Sequence, residues 1–179
     1  MTAVVHLDLP FGAVRLVADD EALLRVDFAP VSARVRGSVP AEKILGQTVE
    51  ALTAYAAGET ALSLPALRPL GTAFQQQVWQ ALRDIPFGET RSYGQIAAQL
   101  GKPSASRAVG MSCGRNPIAV LIPCHRVVGS TGALTGYAGG IAFKQALLRH
   151  EGVVLPRSSQ QTAPLFSPET TTTRLFASQ

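Results

Sequence analysis

A thiol and an imidazole stand side by side at Cys124 and His125, directly after Pro123, in the stretch LIPCHRVVGS at 121–130. A free thiol with a pKa of about 8.5 is only a few per cent thiolate near neutrality, and a base that takes its proton makes it a nucleophile. An imidazole serves as that base when an acceptor orients its other ring nitrogen. Glu151, at the end of the helical segment AFKQALLRHEG, is the strongest candidate for that acceptor among the few acids nearby. In a regular strand, neighbouring side chains point to opposite faces. Pro123 cannot donate to a ladder, so the alternation need not hold past it. A bridging water can close the remaining gap between sulfur and ring. The bland alternative for a lone cysteine is an inert core residue.

The elements that must position this pair can be read from spacing. The apolar run Ile118–Ile122 reads as a buried strand that stops at Pro123. Ahead of it, TAFQ (72–75) and SYGQ (92–95) match capping boxes at two helix starts. Phe74, Val78, Ala81 and Leu82 give the first of these helices its apolar stripe; Tyr93, Ile96, Ala97 and Leu100 give the second, which Gly101 closes. A third helix follows the short turn GKPS, with Ser104 as its expected N-cap and Ala105, Ala108, Val109 and Ser112 inward. Two short helices joined by a glycine-containing turn form a helix-turn-helix pattern. The outer face of the third helix carries Arg107, Gly110, Met111 and Gly114. One long cation among small residues suits close approach to another surface better than base reading by several polar side chains.

Residues 4–28 read as antiparallel strands, with turns at Pro10–Gly12 and Asp19–Glu21 and with Leu24, Val26 and Phe28 on one face. Leu45, Val49, Leu52 and Ala56 then recur at helical spacing up to Gly58. The fold class is α/β (α+β): a small antiparallel sheet with a helix over 1–70, a mainly helical domain over 71–152, and a Ser-, Thr-, Gln- and Pro-rich tail over 153–179, expected to be flexible.

Charge separates the two domains. Residues 1–70 hold six basic and eight acidic side chains, net −2; residues 71–152 hold eight basic and three acidic, net +5. The second domain therefore has the sign of a surface that meets phosphates. Two cysteines are too few for a disulfide framework, and no CxxC or HxxxH spacing provides a zinc site. No metal and no cofactor are expected. No stretch reads as a signal peptide or membrane span, so a cytoplasmic location without membrane association is expected.

The motif PCHRV (123–127), preceded by RAVG (107–110) and NP (116–117) and followed by GYAGG (136–140), resembles the O6-alkylguanine-DNA alkyltransferase family. The match runs in order and spacing from about Phe74 to Gly152. The resemblance implies a ribonuclease-H-like N-terminal domain and a winged-helix-like second domain. It also implies a monomer whose partner is double-stranded DNA containing O6-alkylguanine. Transfer of the methyl group from O6-methylguanine, and from O4-methylthymine, would end on Cys124 with no regeneration of the thiol. By the same resemblance His125, held by Glu151, is the base, Asn116 ties the turn after the recognition helix to the active-site strand, and Tyr93 donates to the guanine ring. Arg107 enters the base stack, and Ser92, Ala105, Gly110, Met111 and Arg115 join Tyr93 and Arg107 at the DNA. Val127, Tyr137, Ala138, Gly139 and Pro117 form the substrate pocket. Ala119 stands where mammalian members have a proline that packs on bulky alkyl groups. Two readings compete: a helix-turn-helix DNA-binding sensor without chemistry, and a conventional Cys-His hydrolase acting on peptides or esters.

Overall fold

A computed structural model of the chain describes residues 1–28 and 34–155. These form two compact units, one ending at Leu67 and the other beginning at Arg68. From position 156 on, the expected flexible tail lies outside the described residues. Among the described residues no helix is long and apolar enough to cross a membrane.

In the first unit, β1 (Ala3–Leu9), β2 (Gly12–Ala18) and β3 (Leu23–Asp27) form an antiparallel sheet in that order, and α1 (Val39–Ala56) packs on it. Pro10 and Phe11 make the hairpin between the paired residues Leu9 and Gly12. Asp19 Oδ1 accepts the amides of Glu21 and Ala22 at the next turn. The expected face of β3 is corrected: Leu23 and Val26 are buried, not Leu24 and Val26. Leu23 pairs with Ala18 and Arg25 with Val17, so Leu24 is an extra residue in the ladder. One extra residue shifts the alternation onto its neighbour. The helix α1 begins earlier than the apolar spacing indicates, because Ser38 caps it and Pro40 suits its first turn. It buries Ala41, Leu45, Thr48, Ala51, Leu52 and Tyr55. No candidate site residue lies in this unit.

The second unit contains α2 (Ala73–Arg83), β4 (Arg91–Ser92), α3 (Tyr93–Gln99), α4 (Ser106–Gly114), a 3₁₀ turn at Cys124–Arg126, β5 (Val127–Val128) and α5 (Ile141–His150). Both capping boxes form. Thr72 and Gln75 exchange side-chain and backbone bonds at α2, and Ser92 and Gln95 do so at α3. Gly101, at φ 69°, closes α3 in the left-handed region that a side chain disfavours. Two expectations about α4 are corrected. Its N-cap is Ala105, not Ser104, and six residues rather than about four separate it from α3. The amide of Ala105 bonds back to the Lys102 carbonyl at 2.8 Å, which places Ser104 inside a closed turn instead of at the helix mouth.

Trp79 anchors α4 to α2. Its ring is buried, and Nε1 donates to the Ser112 carbonyl at 2.9 Å. Burying a ring of this size contributes at least about 1.5–3 kcal/mol. Gly71 passes so close that a Cβ there would overlap the ring edge. Gly71→Ala is therefore expected to cost about 1–3 kcal/mol in urea unfolding by overpacking; an unchanged midpoint would mean that the ring moves aside freely.

The two-residue strands β4 and β5 pair in parallel, Arg91 with Val127 and Ser92 with Val128. This short ladder ties the start of α3, and with it Tyr93, to the residues that directly follow the Cys-His turn.

Candidate active site

The stretch Ile118–Ile122 is not a strand but a buried turn, which corrects the expectation from its apolar run. Pro117 and Pro123 flank it and remove amide donors at both ends. The turn closes on itself through Ile122 N to the Ile118 carbonyl at 3.0 Å and Leu121 N to the Ala119 carbonyl at 2.9 Å. Val120 sits at φ 69°, a strained conformation for a β-branched residue. Asn116 holds the turn from outside. Its Oδ1 accepts Ile118 N at 3.0 Å, and its Nδ2 donates to the Ile122 carbonyl at 2.7 Å and to Cys124 Sγ at 3.2 Å.

After Pro123 the chain enters the 3₁₀ turn, where Arg126 N reaches the Pro123 carbonyl at 3.0 Å. Successive side chains in such a turn fan out by about a third of a circle. Cys124 goes to Asn116, while His125 and Arg126 both go to Glu151. Among the described residues no hydrogen bond joins the sulfur to the imidazole.

Glu151 is the C-cap of α5 and is 4% exposed. Its Oε1 lies 2.6 Å from His125 Nε2 and 3.1 Å from Arg126 Nη2; its Oε2 lies 2.8 Å from Arg126 Nε and accepts Gly88 N at 3.2 Å. A carboxylate at a helix C-terminus opposes the helix dipole, and the guanidinium offsets that cost. Gly88 sits at φ 80°, where a side chain is strained, and a Cβ there would meet the Glu151 carbonyl at a tight 3.0 Å. Arg126 Nη1 also donates to the Ile85 carbonyl at 2.6 Å.

Lys144 is fully buried and donates from Nζ to the carbonyls of Val127 at 2.5 Å and Thr135 at 3.1 Å. Sequence reasoning passed over it and over Arg126. Lys144 does carry a sequence signal: it lies three and four residues before Leu147 and Leu148, within the apolar stripe of α5.

The electrostatics follow from burial. Burial pushes the Cys124 thiol up, against the Asn116 amide, the Lys144 charge and local backbone amides, which favour the thiolate. The resting group is thus a thiol, not the enriched thiolate expected from an adjacent imidazole. Cys113 is pushed up to about 12, chiefly by burial. Burial also raises Tyr93 and so keeps its phenol protonated; the two nearby thiols act in the same direction.

Burial holds His125 below the ordinary histidine range of 6.5, against Glu151, which raises it, and together with Arg126 and Lys144, which lower it. The folded ring stays neutral where the unfolded chain takes up a proton. Its contribution to stability is therefore present above the unfolded value of 6.5 and is lost as pH falls through the depressed folded value. Thermal scans are expected to show the midpoint dropping below about pH 6.5. In a His125→Gln protein that drop should shrink, and an identical pH dependence would contradict the assignment.

A cavity of about 620 Å³ has none of the Cys124, His125, Asn116 or Glu151 side chains on its wall; it is linked to them through Tyr93, which the Cys124 thiol is near enough to influence, and through Thr135, whose carbonyl accepts from Lys144. Tyr93, Ser106, Arg107, Gly110 and Gly114 line it from α3 and α4, and Thr135 to Ala138 line it from the loop before α5. Thr135 Oγ1 donates to the Tyr93 hydroxyl at 3.2 Å. Tyr137 stacks near Phe143, with ring centroids 6.5 Å apart. Of the expected site residues, Cys124, His125, Glu151 and Asn116 are brought together, and Tyr93, Arg107, Gly110, Tyr137 and Ala138 share the cavity wall. Gly139 is not on that wall. Pro117 flanks the buried turn and is half-buried, and Val127 is buried with its carbonyl on Lys144. Ser92 spends its oxygen on the α3 cap, and Ala105 caps α4. Met111 is 60% exposed, and Arg115 is exposed at the end of α4.

Residues 73–153 match the family model described as 6-O-methylguanine DNA methyltransferase, DNA binding domain. A methylated-DNA–protein-cysteine methyltransferase of Methanosarcina acetivorans is 46% identical over 146 residues, covering 80% of this chain and 94% of its own length. The chain belongs to the methylated-DNA–protein-cysteine methyltransferase family. The same enzyme from Mycobacterium leprae is 47% identical over 148 residues, 81% of this chain and 89% of that one. Among solved structures, Mycobacterium tuberculosis OGT in complex with DNA matches with a TM-score of 0.71 and 44% identity over 82% of this chain and 90% of that one. The Mycobacterium tuberculosis O6-methylguanine methyltransferase matches with a TM-score of 0.72 and 42% identity over 84% of this chain and 93% of that one. As a methylated-DNA–protein-cysteine methyltransferase the chain is an enzyme of direct-reversal DNA repair, moving an alkyl group from DNA onto cysteine in a single turnover. Each expected catalytic residue lies within the 73–153 match.

Proposed function

We propose that this chain, acting as a monomer on double-stranded DNA, accepts the methyl group of O6-methylguanine, and of O4-methylthymine, on Cys124 Sγ. The observation that carries the assignment to Cys124 is its place in the structure. The sulfur sits on the Asn116 amide, in the turn whose next residue pairs with Glu151, and near enough to Tyr93 on the cavity wall to act on its phenol.

Arg107 projects from α4 into the base stack, where the damaged nucleotide is turned out toward the cavity. The Cys124 thiol gives its proton to His125 Nδ1 through a water. As that proton leaves, sulfur forms a bond to the alkyl carbon while the bond from that carbon to O6 breaks, and the electron pair goes to the guanine. Tyr93, kept protonated by burial, donates to the ring and stabilises the charge that develops there. The product thioether has no good leaving group, so the protein acts once.

The deciding experiment incubates the protein with an excess of duplex oligonucleotide containing O6-methylguanine and maps the digested protein by mass. One methyl on the peptide bearing Cys124 supports the reading. Unmodified protein, or a methyl on the Cys113 peptide instead, overturns it. Repeated turnover of an ester by one protein molecule would favour hydrolase chemistry.

A further inference from the structure

We propose that Arg126 is a positioning residue: by placing a permanent positive charge on both oxygens of Glu151, it keeps His125 neutral and confines the proton-accepting role to Nδ1. This inference rests on the alkyl-transfer reading given above.

A carboxylate paired only with an imidazole readily becomes a carboxylate–imidazolium pair, with the proton already on the ring before substrate arrives. Here the same carboxylate carries the Arg126 fork at 2.8 and 3.1 Å and the Gly88 amide at 3.2 Å. With a neutral ring the buried Glu151–Arg126–His125 group has no net charge; with a protonated ring it has one uncompensated positive charge, which burial penalises. Lys144 is a second buried cation of the same region and opposes protonation in the same direction. The charged groups that act on the ring are therefore Glu151 and Lys144 from the α5 segment and Arg126 from its own turn; the Cys124 thiol of that turn is directed to Asn116. The helix α2, also packed on this turn, buries Gln75, Val78, Trp79, Ala81 and Leu82, none of which titrates.

The tautomer follows. An ionised Glu151 accepts only, so Nε2 carries the hydrogen of the 2.6 Å contact. The lone pair is left on Nδ1, which is buried and has no protein partner among the described residues. The ring can thus take the thiol proton at Nδ1 as the sulfur–carbon bond forms, and it is not occupied by a proton beforehand.

The test uses the full chain with nitrogen-15 histidine, whose three histidines give few resonances. Ring nitrogen shifts and single-turnover rates on duplex DNA containing O6-methylguanine are measured over the same pH range for wild type, Arg126→Met and Arg126→Lys. Wild-type His125 is expected as the neutral Nε2–H form at neutral pH. In Arg126→Met, the ring titration and the acid limb of the rate should move together to higher pH. That lowers the rate roughly tenfold below the inflection and little well above it. Arg126→Lys keeps the charge and should hold the inflection near wild type while lowering the plateau, because the fork is lost. A merely structural role would lower the plateau in both without moving the inflection, and that result overturns the proposal. An Nδ1–H tautomer in wild type overturns it as well, whether or not the variants fold. Failure of wild type to accept a methyl group would instead strike the alkyl-transfer reading, and the ring spectra report independently of it.

Discussion

The Glu151→Ala protein is expected to be destabilised by about 3–5 kcal/mol, the usual cost of removing one partner from a buried ion pair. Glu151 lies 4% exposed and takes bonds from His125, Arg126 and Gly88. Removing it leaves a guanidinium, an imidazole N–H and a backbone amide facing a void, with the Ile85 carbonyl and the Phe87 ring, 5.9 Å away, still against Arg126. Glu151→Gln should cost less, since one amide oxygen can still accept. Urea unfolding measures both. Under conditions where the alanine variant stays folded, its alkyl-transfer rate should fall by about 10²–10⁴, the worth of an oriented general base. A variant within about 1 kcal/mol of wild type would show that Arg126 finds a substitute partner.

The largest functional effect belongs to Cys124→Ala, which is expected to abolish transfer while leaving DNA binding and stability nearly intact. The sulfur is an acceptor for Asn116 Nδ2, but that amide keeps its 2.7 Å bond to the Ile122 carbonyl, so the turn around the site does not lose its tie. The cavity left is one small group, worth about 1 kcal/mol. Cys113→Ala, by contrast, should still be methylated at Cys124. Cys113 is pushed up to about 12 and is inert as a nucleophile at neutral pH. Mass mapping after exposure to methylated duplex, with gel-shift binding in parallel, checks both variants. A methyl on Cys113 in the Cys124→Ala protein would mean that the site has two acceptors.

Local signals in the sequence are enough for the helices that carry the site. The threonine and serine caps at α2 and α3, and Gly101 after α3, act through bonds within one turn, and the structure contains each of them. What the pattern misses depends on partners distant in sequence or on chain closure. Ile118–Ile122 is apolar because it is buried, and burial does not distinguish a strand from a turn closed by Asn116. Leu24 reads as inward on its own strand because a bulge is a property of two strands and not of one. Ser104 has the right chemistry for a cap but is held in a turn that closes one residue later. Within the site, Cys124 and His125 can be named from the motif, and Glu151 from the scarcity of acids around it. Arg126 stands inside that motif without any sign of its role, since only the fold reveals that it shares its carboxylate with the imidazole. Lys144 reads as an ordinary helix lysine until its ammonium is seen between two carbonyls.

The bond from Trp79 to the Ser112 carbonyl gives the molecule an intrinsic optical probe. The chain has a single tryptophan, and its indole nitrogen rests on the backbone of α4 in a dry setting. Any displacement of that helix would alter the emission maximum or its quenching, so fluorescence can follow the helix proposed to meet DNA in real time without an attached dye.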